Sequence, residues 1–101
     1  MEISQIISHQ KLEEFCQKNH ILQLSFFGSI VRDDFGPQSD IDIMVEFEPA
    51  HMPGFDFFLM EAELSKILGR KVDLQTVNFI SPEIRKQIIS ELVPVYDQTR
   101  S

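Results

Sequence analysis

Cys16 is the single cysteine among 101 residues, so no disulfide can form within the chain. A fold built without that staple suits a reducing compartment. Long apolar runs are also missing: no uninterrupted segment approaches the ~18 residues needed to cross a bilayer, so no membrane helix is expected. The opening residues MEISQIISHQ lack the basic region and apolar core of a secretory signal. A cytoplasmic location is therefore the expectation. Basic residues are scarce, 9 Lys and Arg against 16 Asp and Glu, for a formal net charge of −7. Phosphate backbones repel so acidic a chain, which argues against direct nucleic-acid binding. Small anionic ligands stay admissible, because a metal ion or a helix N-terminus can offset the local field. Repeats, low-complexity tracts and internal linkers are absent as well.

Hydrophobic residues at 43% and charged residues at 25% are ordinary for a folded chain. A single domain over residues 1–101 is expected, with a modest core. Ser8 to Asn19 reads as a helix with Ser8 as N-cap and Leu12, Phe15 and Cys16 on its apolar side, making Cys16 a buried structural thiol. Ile3, Ile6 and Ile7 supply a short preceding turn or packing for that helix. ILQLSFF, 21–27, is a short apolar run ending at Gly28, as in a buried strand. Residues 33–39, with Gly36 and Pro37, form a loop. In the next strand, 40–48, Ile41, Ile43, Val45 and Phe47 share one face while Asp40, Asp42 and Met44 share the other.

After the break PAHMPG, Asp56 to Leu68 is helical. Phe57, Met60, Leu64, Ile67 and Leu68 form its stripe, Phe58, Leu59 and Ala62 widen it, and Glu61, Glu63 and Lys66 stay outside. Gly69 ends the helix. Residues 70–77 make a third strand, with Val72 and Leu74 opposite Asp73. Ser81 and Pro82 open a last helix to about Glu91, with Ile84, Ile88 and Ile89 as its apolar side. Val93 to Tyr96 adds a short edge strand. The fold class is α/β (α+β): a small mixed sheet with helices packed against it, in the order α-β-α-β-α-β-α.

Asp40 and Asp42 point the same way from one strand, with carbons roughly 6.5–7 Å apart by strand rise. Carboxylates so placed can share divalent ions. Asp73 joins them if its strand neighbours theirs, and three oxygen donors with open positions suit Mg²⁺. Gly28–Ser29 follows an apolar strand and precedes a short helix start, where glycine allows close approach to a phosphate and Ser29 adds a hydroxyl. Each piece has a plain structural alternative. A Gly-Ser is by itself a turn, an Asp-x-Asp can be solvated, and Asp73 can face water. Arg32 can be a surface ion-pair partner instead of a phosphate ligand. His9, His20 and His51 show no ligand spacing and read as surface residues. The joint occurrence is what points to a site.

GSIVRDDFGPQSDIDIMVEF resembles the Gly-Ser, ten residues, Asp-x-Asp signature of the minimal nucleotidyltransferases (MNT domains) of the DNA polymerase beta superfamily. LGRKVDLQTV is similar to that family's third-aspartate strand, SPEIRKQIISE to the helix after that strand, and VPVY to the family's ending. The likeness runs from about residue 12 to 97. It implies that Gly28 and Ser29 hold the triphosphate of ATP and that Asp40 and Asp42 bind two Mg²⁺ ions. Asp73 would be the third carboxylate, acting on the attacking hydroxyl, and Arg32 and Ser39 match further positions with less defined roles. Val31 stands where many members carry alanine. The family's short members are typically encoded beside a small helical HEPN-domain protein, and in several such pairs, antitoxin and toxin, AMP moves from ATP onto a tyrosine of the partner and silences its ribonuclease activity. The resemblance thus implies a protein adenylyltransferase acting as an antitoxin. No separate substrate domain is expected, so the acceptor would be gripped by this domain or by an oligomer.

A different class of function competes: a non-catalytic module that neutralises its partner sterically. The aromatic cluster Phe55, Phe57 and Phe58 beside a Pro-Gly loop would be its docking patch. Transfer to a small molecule or an RNA end is a weaker alternative.

Overall fold

The computed structural model describes residues 9–32, 36–77 and 80–98. The expectations for Ile3, Ile6, Ile7 and Ser8, and for residues 33–35 of the loop, lie outside this set. Helix α1 (His9–Lys18) leads into β1 (Ile21–Phe27), a short 3-10 turn (Gly28–Val31) and β2 (Ile41–Phe47). Then come α2 (Asp56–Leu68), β3 (Val72–Thr76), α3 (Pro82–Glu91) and β4 (Val93–Asp97). The strands form one four-stranded mixed sheet in the order β3-β2-β1-β4. β1 runs antiparallel to both β2 and β4, and β2 runs parallel to β3 through the α2 crossover.

The alternation in β2 explains the layering. Ile41, Ile43, Val45 and Phe47 are buried and join Leu24 and Phe26 of β1 and Val72 and Leu74 of β3 in one core. Helices α1 and α2 cover that face with Leu12, Phe15 and Cys16 from the first and Met60, Leu64 and Leu68 from the second. Cys16 is fully buried, and burial pushes its thiol up to about 12. It is an inert packing group at neutral pH. Gly69 ends α2 in the left-handed conformation, φ 70°, as its position implied.

Helix α2 also seals an edge. The Ser65 hydroxyl accepts from the Val72 N–H at 3.0 Å, and the Glu61 carboxylate accepts from the Leu74 N–H at 2.9 Å. Edge-strand donors left unpaired would invite another chain. At the opposite edge, Pro94 removes one donor from β4.

Two expectations about helix faces fail. Phe58 and Leu59, expected to widen the α2 stripe, are 71% and 69% exposed, and Ala62 is exposed too. A helix lying on a sheet buries one stripe, here Met60, Leu64 and Leu68, and these residues fall outside it. In α3 no residue is fully buried, and Ile84 and Ile89 are each 49% exposed. The helix sits at the rim of the second sheet face, where Ile89 and Leu92 border an open groove with Gln23, Met44 and Glu46. Ser81 occupies the N-cap position without a side-chain capping bond; its carbonyl accepts from Ile84 and Arg85.

Leu64 has no exposed surface. Leu64→Ala should therefore cost about 2–5 kcal/mol, lost transfer energy plus a cavity, and lower the urea midpoint accordingly. An unchanged midpoint would contradict this placement of the core.

Candidate active site

The sheet's second face carries the polar side of β2, and its chemistry gathers where β1 ends. Phe27 is the register partner of Asp42, so the chain leaves β1 beside that carboxylate. Gly28 then takes φ +73°, a conformation that favours glycine. A β-carbon on residue 28 would overlap the Asp42 Oδ2. The glycine thus makes room for an aspartate of this chain, a demand separate from any phosphate. The Ser29 backbone N–H donates to the Asp42 carboxylate. Ile30 and Val31 anchor the 3-10 turn by packing on the core.

Parallel pairing brings the third acid into place. Asp42 of β2 is the register partner of Asp73 of β3, so both side chains leave the same face of the sheet. Asp40 precedes β2, exposed, with Lys71 Nζ 3.8 Å from its Oδ2. Burial pushes the Asp42 carboxyl above its ordinary value of 3.8, and the negative charges of Asp73 and Asp40 push it further. The Arg32 guanidinium and the Ser29 N–H pull it back. A half-buried carboxylate, raised by burial and by two neighbouring acids, belongs to a set of oxygen donors that could hold a cation. Among the described residues the one trio of ligand atoms mutually within 4.8 Å lies elsewhere, at His20, Glu48 and His51. Asp40, Asp42 and Asp73 do not form such a trio.

Ser39 lies in the loop before β2, where its hydroxyl accepts from the Gly36 N–H at 3.0 Å. Arg70 donates to the carbonyls of Gly36 at 2.8 Å and Ser39 at 2.6 Å. Sequence reasoning passed over Arg70; a cation just before the third-aspartate strand was its only signal. That side chain ties the loop carrying Asp40 to the start of β3.

The aromatic cluster divides. Phe55 and Phe58 are 92% and 71% exposed, but Phe57 turns inward, edge-on to Phe47 with centroids 6.4 Å apart. Phe57 therefore belongs to the core rim. His20 and His51 are exposed, as expected, yet the turn before β1 and the loop after β2 bring them together beside Glu48. Sequence separation hid that meeting.

The family profile described as nucleotidyltransferase domain matches residues 9–95. The chain belongs to this family. It is 40% identical over 97 residues to a Methanocaldococcus jannaschii protein provisionally named a protein adenylyltransferase, covering 93% of this chain and 95% of that one. It is 33% identical over 95 residues to protein adenylyltransferase MntA of Thermococcus cleftensis, covering 93% of each. A solved structure described as a minimal nucleotidyltransferase superposes with a TM-score of 0.73 at 25% identity, covering 86% of this chain and 88% of that one. A toxin–antitoxin complex with AMP-PNP gives 0.74 at 19% identity, covering 93% and 77%. A tri-AMPylated HEPN toxin of Shewanella oneidensis in complex with MNT antitoxin gives 0.65 at 18%, covering 91% and 71%. At those last two identities the likeness is one of fold. The enzyme class is that of a nucleotidyltransferase.

The crowding around Asp42 has two testable outcomes. Gly28→Ala should displace that carboxylate and strain the backbone, lowering the melting temperature and nucleotide affinity together. Asp42→Asn keeps an acceptor for the Ser29 N–H but removes a charge that the fold disfavours. The native state holds the Asp42 proton more tightly than the unfolded chain, so this group's contribution to stability falls as pH rises. In metal-free buffer, Asp42→Asn should melt up to a few degrees higher than the parent at neutral pH. That advantage should vanish below the ordinary carboxyl value of 3.8. Melting curves across pH check the sign.

Proposed function

We propose that this chain is a Mg²⁺-dependent adenylyltransferase that moves AMP from ATP to a hydroxyl, a tyrosine's for preference, of a HEPN-type toxin, and so acts as an antitoxin. The observation that carries the proposal is the pairing of Asp42 with Asp73 across β2 and β3, beside the Gly28–Ser29 turn. Relatives named protein adenylyltransferase, and a neighbour described as an AMPylated HEPN toxin with its antitoxin, support it.

In this reading Asp40 and Asp42 hold two magnesium ions, with Asp73 as the third acid. Bound magnesium would neutralise the triphosphate and align an in-line attack. Ser29 and the backbone at Gly28 hold the phosphates, and Arg32 adds positive charge nearby. Ser39 positions the loop before Asp40. Asp73, exposed at the sheet edge, accepts the proton of the acceptor hydroxyl as its oxygen bonds to the α-phosphorus and the bond to pyrophosphate breaks.

Incubation with Mg-ATP and the cognate toxin should add one or more AMP units to the toxin's intact mass. Asp40→Asn should slow that transfer about 10²-fold or more, the scale of losing one charge-stabilising group. Asp42→Asn should abolish calorimetric binding of Mg-ATP while the fold survives. Unchanged ATP binding by that variant would sink the catalytic reading.

A steric antitoxin is the second reading, favoured by an exposed apolar patch. Phe55, Phe58 and Leu59 are 92%, 71% and 69% exposed, and three large apolar side chains exposed within five residues are a candidate docking surface. Under that reading Asp40→Asn still protects cells from the toxin, while Phe55→Ser with Phe58→Ser does not. Under the catalytic reading Asp40→Asn fails to protect.

A further inference from the structure

At the far end of β1 and β2 from the aspartates, three potential ligands meet. The register runs from Phe27 opposite Asp42 at one end to Ile21 opposite Phe47 at the other. By strand rise the two ends lie roughly 20 Å apart. His20 immediately precedes β1, Glu48 immediately follows β2, and His51 lies in the loop toward α2. One ligand atom from each falls within 4.8 Å of the others.

We propose that His20, Glu48 and His51 form a second metal site, for one borderline divalent transition ion such as Zn²⁺. Two imidazole nitrogens and a carboxylate oxygen are zinc ligands, whereas Mg²⁺ takes oxygen donors and ordered water. Two donors about 2.0–2.1 Å from one tetrahedral zinc stand roughly 3.3 Å apart. His20 Nδ1 and Glu48 Oε2 are already 3.3 Å apart. The imidazoles of His20 and His51 lie face to face, with centroids 3.7 Å apart and planes 12° from parallel, so one ring must turn about its side-chain torsions before both in-plane nitrogens reach a shared ion. Three protein ligands leave a fourth position to water or to a partner's side chain.

The backbone holds this arrangement independently of the side chains. The Glu48 N–H donates to the His20 carbonyl at 2.9 Å, and the His51 N–H donates to the Glu48 carbonyl at 2.9 Å. His20 itself takes φ +57°, the left-handed region that most side chains avoid. Strained backbone of this kind persists where the surroundings enforce it, and it concentrates at ligand sites. An ion here would tie the start of β1 and the end of β2 to the loop carrying Met52 and leading to Phe55.

The test is a calorimetric titration of Zn²⁺ into the metal-free full chain, with excess Mg²⁺ present to compete at the aspartates. One saturable equivalent is expected, with a rise in melting temperature. His51→Ala, at an exposed position, and Glu48→Gln, at a partly buried one, should each weaken binding about tenfold or more, with unchanged far-UV circular dichroism. Asp42→Asn should bind Zn²⁺ as the parent does. Co²⁺ should give the strong visible absorption of a four-coordinate site, lost in His51→Ala. No saturable Zn²⁺ binding would overturn the proposal. So would binding that survives His51→Ala and Glu48→Gln but disappears in Asp42→Asn, which would place the ion among the aspartates.

Discussion

The Asp42 carboxylate occupies space that a side chain at position 28 would need, in the company of two other acids, and much of the architecture follows from keeping it there. β2 must be central, so that β1 delivers Gly28 on one side and β3 delivers Asp73 on the other. A one-residue slip of β2 would turn Asp42 into the core and Ile41, Ile43 and Val45 into water. Hydrophobic burial on one face therefore enforces the position of the charges on the other. The apolar side of the strand carries the stability and the polar side carries the acids.

That division explains why the sheet is dry on one side only. Helices α1 and α2 close the apolar face, while α3 merely borders the polar one. The open face keeps the aspartates accessible, and the loop before them is braced by Arg70 through two carbonyls. Such bracing favours a chemical site, because acids on a slack loop would drift apart under their own repulsion. The local conflict among like charges is of the kind expected where function overrides stability.

Much of this was legible in the sequence because it rests on short-range periodicity. The alternation of DIDIMVEF named the buried face of β2 and the acidic one, and Gly69 marked the end of α2 by its own conformational freedom. Gly28 was legible as a tight backbone site, but its crowding by Asp42 was not, since that contact spans two strands. Asp73 could be seen as the lone acid of its strand, whereas its pairing with Asp42 depends on register. Arg70, Ser65 and Glu61 act on backbone groups, which leave no trace in a pattern of side chains. The misjudged faces of α2 and α3 share one cause: apolar residues at helical spacing show what could be buried, and only packing decides which are. His20 and His51 were passed over because their proximity is made by a turn and a loop.

Helix α3 buries no residue fully, and β4 behind it holds only partly buried or exposed side chains. The segment from Pro82 to Asp97 is thus fastened by the hydrogen bonds between β4 and β1 and by Val95 and Tyr96 packing partly against the core. Segments held in that way open as cooperative units well below the free energy of global unfolding. Amide hydrogens of β4 should accordingly exchange with solvent through a local detachment, while those shared by β1 and β2 wait for the whole domain to unfold. Such a detachment would leave the half that carries the aspartates folded and uncover the edge of β1 that β4 otherwise pairs with.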